Sequence, residues 1–354
     1  MKIGIITQHN YTNYGNRLQN LATDVILKDL GHDPISLVVS PSNFLIAFNQ
    51  ISKPFFCFPL RRRMRNFIKF TKKYLKTYSM DSKCLKRLTK KFGTNGTDPL
   101  DCALVGSDQT WNPKYVVNSN QVFARFVDKE KRMTFSTSFG VSKIPQKNIA
   151  DYTKGLSEIK NISVRETAGA KIVKDLTGKE CPVLLDPTLI LSKEKWIELA
   201  NESPVEIPKE KYIFCYFLAY NRKYRNWIKT FAKKHSLKIV NINKYTGKYF
   251  SSDPLGFVKL LMNAEIVCTN SFHGHAFSVC LEKPFVSFPV TKSTNSRTQT
   301  LLNLTGIKNR HYAEVENGNV FNIDYTNITP IIEKEREKAI SYLTKSLNEI
   351  EKAN

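Results

Sequence analysis

The sequence predicts an α/β chain of two Rossmann-like halves whose strand-end loops face a central cleft. Three observations carry that expectation. Short apolar runs such as Lys2–Thr7, Asp101–Val105, Lys211–Phe217 and Ala264–Thr269 alternate with helical patterns. Several of these runs end in polar loops led by Gly, Asn or Ser, the edge at which open α/β sheets bind ligands. At 354 residues the chain is long for one core and natural for two. The expected division is an N-terminal domain over 1–190, a C-terminal domain over 191–329, and a last helix over 330–354 that packs back on the first domain.

The opening β-loop-α-β runs from Lys2–Thr7 through a polar loop, Gln8–Asn16, into a helix over Arg17–Leu30 and a strand over Ile35–Val39. No G-x-G-x-x-G is present, so a dinucleotide is not indicated. Gly15 permits close backbone approach, and Asn13, Asn16, Arg17 and Gln19 supply hydrogen-bonding groups that suit sugar hydroxyls. Ordinary turn chemistry explains much of the same composition.

An aromatic stretch, Pro54–Leu60, precedes a basic helix over 61–91. Between Arg61 and Lys91 there are thirteen Lys or Arg and one acid, Asp81. Met64, Phe67, Ile68, Tyr74, Leu75 and Tyr78 fall roughly on one stripe. Such a segment reads either as a contact with a membrane surface or as a packed helix with a solvated basic face.

Asp101–Val105 leads into Gly106-Ser107-Asp108, a third strand-end loop. Strands are expected over Arg132–Phe139, Ile162–Val164 and Pro182–Leu185, and helices over Ile149–Ile159 and Thr167–Leu176. Arg165 leaves a strand at the ligand edge. It reads as a bidentate grip on a carboxylate or phosphate, or as half of a surface pair with Glu166, or as a helix cap.

The second half repeats the pattern, with strands over Lys211–Phe217, Leu237–Ile242 and Phe285–Phe288 and helices over Tyr224–His235, Pro254–Met262 and Arg297–Leu304. Residues 292–299 read as a mobile surface loop, and Pro330 starts the final helix. Between these elements, Ala264–Thr269 is a buried strand, Asn270 and Ser271 a polar break, and Phe272–Leu281 a helix. Its start offers unpaired N–H groups and the positive end of a dipole to an anion. His273 sits there between Ser271 and Gly274, as a proton donor to an anionic substrate or as a capping or core histidine. His273 and His275 are two apart and point to different helix faces, so no metal is expected.

The net charge is +23, from 54 Lys plus Arg against 31 Asp plus Glu, which calls for an anionic partner or surface. Nucleic acid is disfavoured because no binding motif accompanies the charge. At 41% hydrophobic the chain can bury two cores. Seven cysteines without a C-x-x-C pair read as reduced thiols of a cytoplasmic protein. The first residues are too quickly polar for a signal peptide, and no apolar run reaches a membrane span.

Taken in order, the pieces resemble the polysaccharide pyruvyl transferase family. They are Asn13-Tyr14-Gly15-Asn16 with Gln19, Val105-Gly106-Ser107-Asp108-Gln109 with Trp111-Asn112, Ser163-Val164-Arg165-Glu166, Asp186-Pro187-Thr188, and Thr269-Asn270-Ser271-Phe272-His273-Gly274. The resemblance implies a glycosyltransferase-B-like architecture. It also implies transfer of a pyruvyl group from phosphoenolpyruvate to two hydroxyls of a sugar, giving a cyclic ketal. Arg165 and His273 then match catalytic positions. Ser271, Phe272, Gly274 and Arg297 complete the donor site, and Asn13, Gly15, Asn16, Arg17, Gln19, Gly106, Ser107 and Asp108 the acceptor site. Some members carry a basic residue just before the one matching Phe272. Here it is Ser271, so the donor grip is expected to be weaker or completed by Arg297.

The residues suit that chemistry without a metal or cofactor; phosphoenolpyruvate is a co-substrate. The expected acceptor is a cell-surface glycan or its lipid-linked precursor, met at the inner face of the cell membrane, with the anionic membrane surface as a partner. Two other readings stand beside it: a sugar-nucleotide-dependent glycosyltransferase of the same architecture, and a non-catalytic binder of anionic glycan or membrane.

Overall fold

A computed structural model of the chain describes residues 1–9, 12–39, 58–80, 85–116, 118–290, 296–315 and 320–353. Two compact units emerge. The first draws on Met1–Phe48, Thr71–Ile190 and Lys334–Asn354, the second on Asn49–Phe70 and Leu191–Glu333.

The first unit is built on strands β1 (Lys2–Gln8), β2 (Asp33–Val39), β3 (Thr77–Met80), β4 (Cys102–Val105) and β5 (Arg132–Thr134), in the order β3-β2-β1-β4-β5. Every neighbouring pair is parallel. Ile3, Ile5 and Ile6 on the central β1 are fully buried, as expected of a strand covered on both faces. Helix α1 (Tyr14–Asp29) follows β1. Trp111, Phe123, Phe139 and Tyr152 form an aromatic core, with Trp111 and Phe139 ring centroids 5.1 Å apart.

Helix α1 begins three residues earlier than the sequence suggests. The Asn13 side chain accepts the Asn16 N–H at 3.2 Å and caps the helix. Gly15 and Asn16 therefore lie on the first turn of a helix rather than in a loop.

The basic stretch 61–91 is not one helix. It divides into α2 (Phe58–Tyr74), strand β3 and α3 (Leu85–Phe92). The alternating Thr77-Tyr78-Ser79-Met80 pairs with β2 instead of continuing the helix, and Tyr78 meets Phe92 edge-on at 4.9 Å. Pro54–Cys57 of the aromatic stretch lie outside the described residues.

The strand expected over Arg132–Phe139 stops at Thr134, because Ser136 takes a left-handed backbone (φ 52°). Hydroxyls supplement the backbone bonds that remain along this edge, such as Arg165 N–H to Thr137 O at 3.2 Å and Leu184 N–H to Val164 O at 2.9 Å. Thr134 Oγ1 donates to Ser163 O at 2.8 Å, Ser136 Oγ to Leu185 O at 2.7 Å and Thr137 Oγ1 to Val105 O at 2.7 Å. The strands expected at Ile162–Val164 and Pro182–Leu185 survive only as single bridges, Thr137 to Val164 and Val164 to Val183. Helices α4 (Ile149–Ser157) and α5 (Thr167–Thr177) pack against this edge.

The second unit carries β6 (Tyr212–Tyr216), β7 (Lys238–Asn241), β8 (Ile266–Thr269) and β9 (Phe285–Ser287), all parallel in the order β7-β6-β8-β9. Its helices are α6 (Lys193–Asn201), α7 (Arg222–Lys234), α8 (Pro254–Met262), α9 (Phe272–Cys280) and α10 (Ser296–Thr305). Helix α6 is absent from the sequence reading; Ser192 caps it by accepting the Lys195 N–H at 3.1 Å. Residues 292–295 of the expected surface loop lie outside the described residues, and 296–299 are the first turn of α10.

Helix α11 (Ile328–Glu351) starts before Pro330, which a first turn tolerates. Beyond Lys334 it belongs to the first unit, with Ala339, Leu343 and Leu347 buried and Tyr342 Oη donating to Thr134 O at 3.2 Å.

Candidate active site

In the first unit, the loops after β1, β4 and β5 bring together residues far apart in sequence. Gly106 follows β4, and its N–H donates to Ile6 O at 2.9 Å. An added Cβ would lie 3.1 Å from Ile5 Cγ2, so a larger residue would press this loop away from β1. Asp108 holds a left-handed backbone at φ 73°, uncommon for a residue with a side chain. Its carboxylate accepts the Gln109 N–H at 2.8 Å and pairs with the Asn16 amide.

Arg165 is buried against the same loop. Its Nη1 forms an ion pair with Asp186 and lies 3.1 Å from Ser107 Oγ, and its Nη2 is 3.7 Å from Asp108 Oδ1. Ser107 Oγ also donates to Asp186 at 2.8 Å, and Asp186 accepts the Thr188 hydroxyl at 2.6 Å and the Thr188 N–H at 3.0 Å. Burial works against the guanidinium charge, but the carboxylates of Asp186, Asp108 and Glu166 outweigh it and raise its pKa. The expected surface pair with Glu166 does not form. Glu166 is buried and accepts from Ser138 Oγ at 3.0 Å, Phe139 N at 2.9 Å and Gly140 N at 3.1 Å.

On α1, Gln19 Nε2 donates to Thr7 Oγ1 at 2.8 Å and to Asn16 O at 3.0 Å, which locks the helix to the end of β1. Arg17 is buried, its Nε 3.2 Å from Thr71 Oγ1, and burial lowers its pKa to about 10. Asn13 is half-buried at the cap.

Two residues of this region have no role assigned from the sequence. Asp186 was visible only as part of a motif. His9, just past β1, is buried with Nε2 3.0 Å from the Asn20 amide nitrogen. Asn20 Oδ1 accepts from Ser36 Oγ at 3.1 Å, which turns the amide nitrogen toward the imidazole. Burial, and secondarily the Arg17 charge, hold the His9 pKa well below its ordinary value. Its place at the end of the first strand was the available signal.

In the second unit, β8 ends at Thr269, whose Oγ1 donates to Tyr216 O at 2.6 Å and accepts the Ser271 N–H at 3.0 Å. Asn270 pins the loop after β6, accepting the Leu218 N–H and donating to Ala219 O, both at 2.8 Å. Ser271 takes the cap position of α9 with extended backbone and no side-chain cap bond. Gly274 sits where a Cβ would lie 2.2 Å from Thr269 Oγ1, so only glycine lets the first turn of α9 approach the strand this closely.

His273 and Phe272 occupy that first turn, both buried, with ring centroids 5.2 Å apart and nearly perpendicular. The Arg297 guanidinium, also buried, lies 5.7 Å over the Phe272 ring. One aromatic ring thus sets a cation and an imidazole beside a helix N-terminus, an arrangement suited to an anion and a proton. His275 is different. Its Nδ1 lies 2.8 Å from Ser271 O and its Nε2 2.9 Å from Ser287 Oγ, and burial lowers its pKa to about 4. It is a neutral structural histidine. Among the described residues no three His, Cys, Asp or Glu side chains gather as metal ligands.

The comparisons with known proteins bear on the whole chain. Solved structures similar to it include the UDP-GlcNAc 2-epimerase of Neisseria meningitidis bound to UDP-GlcNAc (12% identity, 98% of this chain and 100% of that chain, TM-score 0.56). The S. aureus MnaA-UDP co-structure is a second (10% identity, 98% and 97% covered, TM-score 0.54). The Arabidopsis thaliana UGT89C1 complexed with UDP is a third (10% identity, 99% and 99% covered, TM-score 0.50). These likenesses show a fold of the glycosyltransferase-B type with two parallel-sheet domains. No curated protein matches the sequence. The model of the family described as polysaccharide pyruvyl transferase matches residues 13–292, a span that holds the Arg165 ion-pair network and the start of α9. The chain belongs to the polysaccharide pyruvyl transferase family.

Proposed function

We propose that the protein transfers a pyruvyl group from phosphoenolpyruvate to two hydroxyls of a sugar, forming a cyclic ketal and releasing phosphate. The observation that most supports this is the Arg297–Phe272–His273 arrangement at the start of α9. Phosphoenolpyruvate carries a phosphate and a carboxylate, which call for a guanidinium and a helix N-terminus.

In this reading His273 gives a proton to the methylene carbon of the enol. Positive charge develops at the neighbouring carbon, and a sugar hydroxyl attacks it. The phosphate leaves with its bridging oxygen, and a second hydroxyl of the same sugar adds in its place. Of the two hydroxyl protons released, one restores His273 and the other leaves with phosphate. Arg297, Ser271, Phe272, Gly274 and Arg165 serve the donor. Asn13, Gly15, Asn16, Arg17, Gln19, Gly106, Ser107 and Asp108 serve the acceptor, through amides and hydroxyls. No metal or cofactor takes part. The acceptor is a cell-surface glycan or its lipid-linked precursor, met at the cytoplasmic face of the membrane. No described helix is long and apolar enough to cross it.

The test is phosphate release from phosphoenolpyruvate across a panel of sugars and lipid-linked sugars, wild type beside His273→Ala and Arg165→Ala. The fold neighbours include proteins bound to UDP or UDP-GlcNAc, so UDP-sugars belong in the same panel. Turnover of a UDP-sugar with phosphoenolpyruvate left intact would replace this reading with a sugar-nucleotide transferase.

A further inference from the structure

Helix α2 has two sides with opposite characters. The inner side is fastened within the second unit. Arg63, Phe67 and Phe70 are buried, the Arg63 guanidinium lies 4.9 Å over Phe250, Asn66 Nδ2 donates to Ser251 O at 2.6 Å, and Ser251 Oγ donates to Pro59 O at 3.1 Å. These contacts fix which way the helix faces.

The outer side is one line of residues. Phe58, Arg62, Arg65, Lys69 and Lys72 follow at spacings of four, three, four and three, and all are exposed. Ile68 and Lys73 flank the line. Phe58 is 67% exposed and Ile68 51%. The helix contains no acid, and among the described residues Arg62, Arg65, Lys69 and Lys72 make no ion pair.

A solvated basic face has no use for a phenylalanine held in water at its head. A nucleic-acid duplex would use the cations and gain little from Ile68. A bilayer with anionic headgroups uses both kinds of side chain, apolar groups at the acyl boundary and cations at the lipid phosphates.

We propose that the outer face of α2 seats the protein on an anionic lipid bilayer. Phe58 enters the headgroup boundary, and Arg62, Arg65, Lys69 and Lys72 lie over lipid phosphates. This deepens the membrane location given above by naming its surface, and it does not depend on the reaction.

Vesicle flotation tests it, with the full chain and vesicles of phosphatidylcholine alone or mixed with phosphatidylglycerol. Wild type is expected to float only with the mixed vesicles. The quadruple variant Arg62→Gln, Arg65→Gln, Lys69→Gln, Lys72→Gln is expected to bind them roughly a thousandfold more weakly. Phe58→Ser is expected to weaken binding several-fold. A control with the same charge loss at exposed lysines elsewhere (Lys143, Lys147, Lys233 and Lys234 to Gln) is expected to bind nearly as wild type.

Equal flotation with neutral vesicles overturns the proposal, as does an equal loss in the control or full binding by the α2 variant. So does α2-dependent binding to duplex DNA with vesicle binding intact. Phosphate release with a water-soluble acceptor separates the two questions. It should be unchanged in the α2 variant, and if even wild type releases none the reaction falls while flotation still decides the surface.

Discussion

Arg165 and Asp186 form an ion pair whose side chains are 1% and 0% exposed. Each leaves the end of a short parallel segment, and the hydroxyl of Ser107 bridges them. Charges this deep persist only when each answers the other. With Asp108 beside them, the set carries two carboxylates and one guanidinium. Arg165 is therefore the centre of a framework as well as a cation at a strand end.

Removing one member of that pair leaves the other buried and uncompensated. Asp186→Ala is expected to destabilise the protein by about 3–5 kcal/mol, while an exposed Asp175→Ala costs less than about 0.5 kcal/mol. Urea denaturation of the two variants checks this. A loss below about 1 kcal/mol for Asp186→Ala would mean that water reaches the pair.

Gly274 makes a second stability prediction. Gly274→Ala places a Cβ 2.2 Å from Thr269 Oγ1 and 2.9 Å from Thr269 Cγ2. Strand and helix must part, at a cost of about 1–3 kcal/mol. Thr269→Ala removes these two atoms and leaves the Thr269 Cβ 2.8 Å from the added one, so the strain is relieved in part and the double variant should be more stable than the sum of the single losses predicts. Strict additivity in thermal melts would show that the two residues do not press on each other.

Much of this fold is legible because its strands are buried on both faces and punctuated by polar loops. Ile266–Thr269 followed by Asn270 and Ser271 announces a strand, a break and a helix, and the structure follows that reading closely. Elements that depend on distant partners are less legible. Thr77–Met80 becomes a strand because β2 offers an edge, and helical stripes on either side mask it. Ser136 ends β5 through a backbone conformation that no side-chain pattern encodes. The candidate site divides in the same way. The position of His273 at a helix start is local and readable. The seat of Arg297 over Phe272, and the pairing of Arg165 with a carboxylate in the next motif, arise only when separate elements pack.

His275 makes stability depend on pH. Burial holds its folded pKa at about 4, below the unfolded value near 6.5. Between these values the unfolded chain binds a proton that the folded chain refuses, so stability is full above about pH 6.5 and is lost as pH falls toward about 4. The slope for one such group approaches roughly 1.4 kcal/mol per pH unit. His9 is also depressed and adds to the same slope. His275→Gln, which keeps a side-chain amide near Ser287, should flatten the dependence without abolishing it. Urea midpoints across that range measure both curves, and parallel curves would show that His275 titrates alike in both states.

The last prediction separates the two side chains that share Phe272. In the proposed reaction Arg297 supplies charge to the bound anion in the ground state, so Arg297→Gln should raise KM for phosphoenolpyruvate more than it lowers kcat. In the proposed reaction His273 moves the proton, so His273→Ala should lower kcat by about 10²–10⁴ with a smaller change in KM. Phe272 touches neither bond that changes. Its ring sets the distance between guanidinium and imidazole, so Phe272→Leu should show part of both defects. If Arg297→Gln and His273→Ala give the same kinetic signature, the division of roles at the start of α9 is wrong.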